Sequence, residues 1–170
     1  MSATESNLFL RRSLAYLTDI AILFALLAPA GFVIQQAIGY FPSNGPEIWH
    51  VLLLNFSVPV WLYFWLSDAS GRGATLGKRI FGIRVAREDN KALGLGRAFA
   101  RTVVKLLPWE LVHLSAFALS NDLDTFSVAQ TVGLAAANLL MLIYLGLAFT
   151  SRGRRSVHDV LVDTKVRDAD

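Results

Sequence analysis

The chain contains no cysteine. That excludes a disulfide framework, a thiol nucleophile and any metal site built on thiolates. Charge is also scarce: 17% of the 170 residues are Asp, Glu, Lys or Arg, where a soluble domain usually carries about a quarter. Two stretches, Gly39–His50 and Ser120–Gln130, have no lysine or arginine at all. The basic residues collect instead at Arg11 and Arg12, between Arg72 and Lys105, and between Arg152 and Arg167. A net charge of +3 distributed this way suits anionic lipid headgroups, and nucleic acid is not expected as a partner.

What the chain has in abundance is apolar sequence, 54% of it, arranged in long blocks. A membrane-crossing helix needs about 20 mostly apolar residues. Candidate spans run from about Leu14 to Ile38, Val51 to Leu66 and Val132 to Phe149. A weaker candidate, about Thr102 to Leu119, holds Lys105, Pro108, Glu110 and His113, so lying flat in the interface is its alternative. Cytoplasmic loops accumulate Lys and Arg. The three basic clusters therefore fall on one side only if the weak segment also crosses. The expectation is an all-α four-helix membrane bundle in the inner (plasma) membrane, with both termini cytoplasmic. A cytoplasmic segment covers about residues 67–101 and a cytoplasmic tail residues 150–170. Arg11-Arg12 followed by an apolar run and Ala28-Pro29-Ala30-Gly31 has the outline of a cleaved secretory signal. Asp19 and the continuation of the apolar run to Ile34 argue against it.

Gly71–Lys78 looks like a phosphate-binding loop but lacks its spacing, and Arg79 stands where that motif needs Ser or Thr. It reads as a turn that puts Lys78 and Arg79 at headgroup level. Phe81, Ile83 and Val85 alternate with Gly82, Arg84 and Ala86, the pattern of a half-buried strand, and Glu88-Asp89-Asn90-Lys91 is turn chemistry. A small β-hairpin in the cytoplasmic segment is expected. Arg97, Arg101 and Lys105 form a basic stripe at four-residue spacing. Its simplest reading is snorkelling to phosphates; the functional one is that Arg101 faces the bundle and meets a carboxylate.

Charges at membrane depth are costly and need compensation. Asp19 lies about one turn inside the first span, seven residues after Arg12 and so on the same helix face. It is either a packing anchor or an ion- or proton-binding carboxylate. Glu110 and His113 lie one turn apart, a spacing that suits a proton relay as well as plain helix packing. Two such ligands make no metal site, and no cofactor is implied. Asn138 is placed to hydrogen-bond across helices, and Gly133 and Ala137 to allow close helix approach. Ser156 and Asp159 read as a capping box, which by itself accounts for Asp159.

Together these features resemble the RDD family of membrane proteins, named for one arginine and two aspartates. The matching residues are Arg12 and Asp19 in Arg12-Ser-Leu-Ala-Tyr-Leu-Thr-Asp19, and Asp159 in His158-Asp159-Val-Leu-Val-Asp-Thr164. Ala74-Thr75-Leu76-Gly77-Lys78-Arg79 through Val85 is similar to the central signature of that family, and Arg97 to Arg101 to its following basic helix. Arg11 and Arg12 both precede the span; the spacing to Asp19 favours Arg12. The resemblance implies that Arg12, Asp19, Arg101 and Asp159 converge, with Lys78, Glu110 and His113 as secondary candidates. It suggests a transport role such as cation/proton exchange, with monovalent cations or protons as ligands and a homo-oligomer enclosing the pathway. The alternative is a non-transporting adaptor that stabilises another membrane protein. No nucleophile–base pair points to an enzyme.

Overall fold

The computed structural model describes residues 8–119 and 125–169. Part of the expected outward connection 120–130 lies outside the described residues. Helix α1, Leu8–Ile38, begins before its purely apolar run and carries Arg11 and Arg12 in its first turns. Next come α2, Gly45–Leu52, a π-helical turn at Leu53–Ser57, and α3, Val58–Ala69. A short helix α4, Leu76–Ile80, leads into strand β1, Ile83–Arg87. Helix α5, Leu95–His113, ends in a second π-helical turn at Leu114–Ala118. Helix α6, Val128–Thr150, is followed by α7, Val157–Leu161, and strand β2, Thr164–Asp168.

Among the described residues, three helices are long and apolar enough to cross a membrane: Leu8–Ile38, Gly45–Ala69 and Val128–Thr150. The segment expected as a third crossing corresponds to α5, which is helical but too rich in charge to qualify by the same measure. The second span starts earlier than its hydropathy suggests. Asn44 caps α2 by accepting from the Glu47 N–H at 3.0 Å, and the Glu47 carboxylate accepts in return from the Ser43 N–H at 2.8 Å. These polar residues hide a helix start inside the expected loop. The π turn before Pro59 has a local cause. Proline has no N–H for the Asn55 carbonyl four residues back, and just before it the Val58 N–H reaches five residues back to the Leu53 carbonyl.

The expected antiparallel strand pair is present, with β1 on the segment chosen by alternation. Its partner is not the chain after the Glu88–Lys91 turn but β2 from the tail, in a register pairing Ile83 with Asp168 and Val85 with Val166. The chain after Lys91 instead carries Gly94 and enters α5, whereas Thr164–Asp168 repeats the alternation with Thr164 and Val166 buried. A local turn signal thus yielded to a better apolar face far along the chain.

Two compact units emerge. The first contains the start of α1 through Ile22, Trp61–Lys105, and the chain from Ile143 onward. Its apolar core joins Leu8 and Ala15 of α1, Ile83 and Val85 of β1, Ala98 of α5 and Val166 of β2. The second contains the described residues of Leu23–Val60 and Leu106–Leu142. There a Cβ on Gly133 would collide with the Ser115 side chain, and Ala137 is fully buried, so the small-residue pair does permit close helix approach. Asn138 does not bridge helices; its side-chain amide donates to the Leu134 carbonyl of its own helix at 2.8 Å.

Candidate functional site

The first unit holds a line of buried ionic groups that alternate in sign. Lys78 of α4 pairs with Asp68 at the end of α3. Arg101 of α5 donates to Asp68 Oδ2 at 2.5 Å through one nitrogen and to Asp159 Oδ1 at 2.8 and 3.0 Å through two others. Arg12 of α1 closes the line, 2.5 Å from Asp159 Oδ2. Arg101, Asp68 and Asp159 are at most 1% exposed. Pairs so deeply buried hold only if nearly every lone pair and proton is used. That condition is met at Asp159, which also accepts from Thr164 Oγ1 at 3.1 Å and from the Ser156 N–H at 3.0 Å. The latter bond is the return arm of the capping box, so the capping and ionic readings of Asp159 both hold.

The two carboxylates are placed by helix ends. Asp68 sits two residues before the Ser70–Gly73 turn, and Asp159 in the first turn of α7, where helix N-terminal N–H groups favour a carboxylate. Burial by itself would raise the Asp159 pKa, but the Arg101 and Arg12 guanidiniums outweigh it and hold the carboxyl well below the usual range. Burial pulls the Lys78 ammonium below the ordinary lysine value, with Asp68 acting against it. Lys78 is therefore an internal ion-pair partner, not the headgroup-level residue that the turn reading suggests. Its neighbour Arg79 donates to the Ala74 carbonyl at 3.1 Å.

His158 adjoins this line. Its Nε2 lies 2.8 Å from an Arg12 nitrogen. A guanidinium can only donate, so Nε2 accepts and the ring is neutral. Burial, above all, drives its pKa well below the ordinary histidine value, and Asp159 opposes that only in part.

Asp19 is held differently. It is 1% exposed, and its carboxylate accepts from the Tyr63 hydroxyl at 2.6 Å, Thr75 Oγ1 at 2.6 Å and the Gly77 N–H at 2.7 Å. None of these donors carries a charge. Thr75 is the N-cap of α4, so Asp19 grips the start of that helix. The approach requires a glycine: a Cβ on Gly77 would strike the Ala15 carbonyl and lie 2.9 Å from Asp19 Cγ. Arg12 and Asp19, expected to share a network, belong to adjacent ones connected through α4.

The basic stripe of α5 turns inward where the simpler reading had it snorkelling. Arg101 meets two carboxylates, and the Lys105 ammonium stands 3.2 Å from the Phe64 ring centre and 5.0 Å from that of Tyr16. Arg11 is an exposed counterpart to Arg12: it pairs with Asp168 at 2.5 Å and donates to the Phe81 and Gly82 carbonyls, fastening α1 to the strand pair. Glu110 and His113 lie in the second unit. His113 Nδ1 is 3.9 Å from Glu110 Oε2, which accepts from Ser57 Oγ at 3.1 Å. Among the described residues no group of three or more His, Cys, Asp or Glu side chains is arranged for a metal ion.

The structure thus brings Arg12, Lys78, Arg101 and Asp159 together and sets Asp19 beside them. Sequence reasoning missed Asp68. Its one available signal was a carboxylate just past an apolar span, opposite a basic stripe in need of partners. No curated protein and no solved structure matches the chain. The family model for the RDD family matches residues 7–163, nearly the whole length and a range that includes Arg12, Asp19 and Asp159. With its apolar helices and that match, the chain belongs to the RDD family of membrane proteins.

Proposed function

We propose that this protein contributes to transport of a monovalent cation or proton across the membrane, as an oligomer, with Asp19 as the ion-sensitive carboxylate. One observation carries this reading. Asp19 is buried and satisfied only by uncharged donors, whereas Asp68 and Asp159 are neutralised directly by lysine and arginine. A proton or alkali ion can be exchanged at Asp19 without breaking an ion pair. At Asp68 the same exchange would strand the buried Lys78 ammonium, and at Asp159 it would take from Arg12 its carboxylate in the line. Thr75 and Tyr63 hydroxyl oxygens next to the carboxylate supply further oxygen ligands of the kind hard cations take.

The proposal includes α5 as a fourth crossing, which restores one side for all basic clusters and places both termini in the cytoplasm, in the inner (plasma) membrane. The neutralisation of Arg101 by two aspartates and the stacking of Lys105 on aromatic rings support it, because both lower the cost of those charges in lipid.

Purified protein in liposomes tests the activity: Na⁺, K⁺ or Li⁺ should dissipate an imposed pH gradient. Asp19→Asn should abolish that flux while the variant remains monodisperse, and Tyr63→Phe should shift its pH dependence. Wild-type protein without flux for any of these ions would overturn transport in favour of the non-transporting adaptor. The absence of native cysteine makes the topology test clean. Ser43→Cys should react with an impermeant reagent from outside and Asn90→Cys should not; the reverse pattern would refute the orientation.

A further inference from the structure

At the end of α6 the chain makes a tight turn and returns toward the start of α1. A cavity of about 530 Å³ opens there, lined by Leu8, Arg152, Arg154, Lys165, Arg167 and Asp168, among others. Its volume lies within the range of small-ligand sites, about 300–1,000 Å³. Among the described residues the lining carries three arginines, a lysine and one carboxylate, Asp168, which also pairs with Arg11 at 2.5 Å. Lys165 shares its nearest carboxylate, Glu88 at 3.6 Å, with Arg155.

The cavity has a defined depth. Arg152 and Arg154 stand two and four residues beyond Thr150, the last residue of a helix long enough to cross a membrane, and Leu8 opens another. They are therefore at the level where a span meets headgroups. Lys165 and Arg167 alternate along β2 with the buried Thr164 and Val166, so the strand presents both toward one face. Guanidiniums from two separate segments around one cavity match the oxygens of a phosphate, which arginine binds through paired N–H donors.

We propose that this cavity is a phosphate-binding site whose ligand is the phosphodiester headgroup of an anionic phospholipid. Leu8 supplies apolar wall next to the glycerol. The site is distinct from Asp19 and the buried ion pairs, and it stands whether or not the protein transports ions.

Its test is direct binding, read by native mass spectrometry of the full chain in detergent. Titration with short-chain phosphatidylglycerol should give saturable, one-site binding well above that of phosphatidylcholine of the same chain length. The double variant Arg152→Gln/Arg167→Gln removes one cation from each segment. At about the cost per basic residue typical of an anionic surface, it should weaken phosphatidylglycerol binding roughly 30-fold. The variant should remain monodisperse in phosphatidylcholine, and Arg152→Lys/Arg167→Lys should retain most of the binding. Arg155→Gln, outside the cavity, should change binding less than twofold. Inorganic phosphate or glycerol 3-phosphate that binds as tightly as the lipid would keep the phosphate site and refute the lipid as its source. Equal binding of both lipids, or wild-type binding by the double glutamine variant, would overturn the proposal.

Discussion

Two neighbouring regions of the first unit solve the same problem in opposite ways. Around Asp19 a buried carboxylate is stabilised by three uncharged donors. Around Asp68 and Asp159, two carboxylates are interleaved with three cations. The first arrangement is local, fixing one helix start against another helix. The second ties α1, α3, α4, α5 and α7 together, and removing any interior member unbalances the charges on both sides of it. The difference separates a carboxylate held by neutral donors from a framework of ion pairs.

The largest effect should come from breaking that framework in its middle. Arg101→Met leaves Asp68 with Lys78 and Asp159 with Arg12 but strips the shared cation; losing one partner of a buried pair costs about 3–5 kcal/mol. Size-exclusion profiles of the solubilised protein should show aggregation or a large fall in thermal midpoint. A stable, monodisperse Arg101→Met would mean that the line of charges is dispensable. Asp159→Asn should cost less, about 3 kcal/mol, because Arg12 is partly exposed and can recruit water. Asp19→Asn keeps one acceptor oxygen and should cost about 2 kcal/mol, in the range for hydrogen bonds to charged groups. Equal losses from Asp19→Asn and Arg101→Met would erase the distinction between the two regions.

Acid gives a finer separation. His158 has a folded pKa depressed below its unfolded value, so its contribution is complete above about pH 6.5 and is lost as the pH falls below that. Asp159 has a depressed carboxyl, so its contribution is present above the unfolded value near 4 and is lost only as the pH drops through its lower folded value. Stability should therefore decline in two steps, and His158→Gln should flatten the first, between about pH 6.5 and 4.5. The smallest effect belongs to the surface: Arg155→Gln, which breaks a half-exposed pair with Glu88, should change stability by less than about 1 kcal/mol.

Much of this was legible in the residues themselves. Long apolar blocks foretold the three clear spans, and the cost of charge in lipid drew attention to Asp19. Strand alternation located β1. What escaped was set by distant chain. The partner of β1 is 77 residues away even at the closest pairing, Arg87 with Thr164, and no local pattern announces a mate so remote. Asp68 reads as an ordinary span-end carboxylate until α5 folds over it. The inward turn of Arg101 and Lys105 was equally hidden, since four-residue spacing says that they share a face but not which way it points. Asn138 shows the converse error: a polar residue in a span was satisfied by its own helix, so no neighbour was needed.

The position of Asp159 has a consequence for biosynthesis. Of the five residues in the buried line it is the last to leave the ribosome, long after Arg12, Asp68, Lys78 and Arg101 have been made. Until it arrives, Arg12 has no carboxylate from the line, and Arg101 shares Asp68 with Lys78. A nascent chain stalled short of α7 carries an unbalanced surplus of positive charge next to the bilayer. That surplus is a physical difference between an unfinished molecule and a finished one.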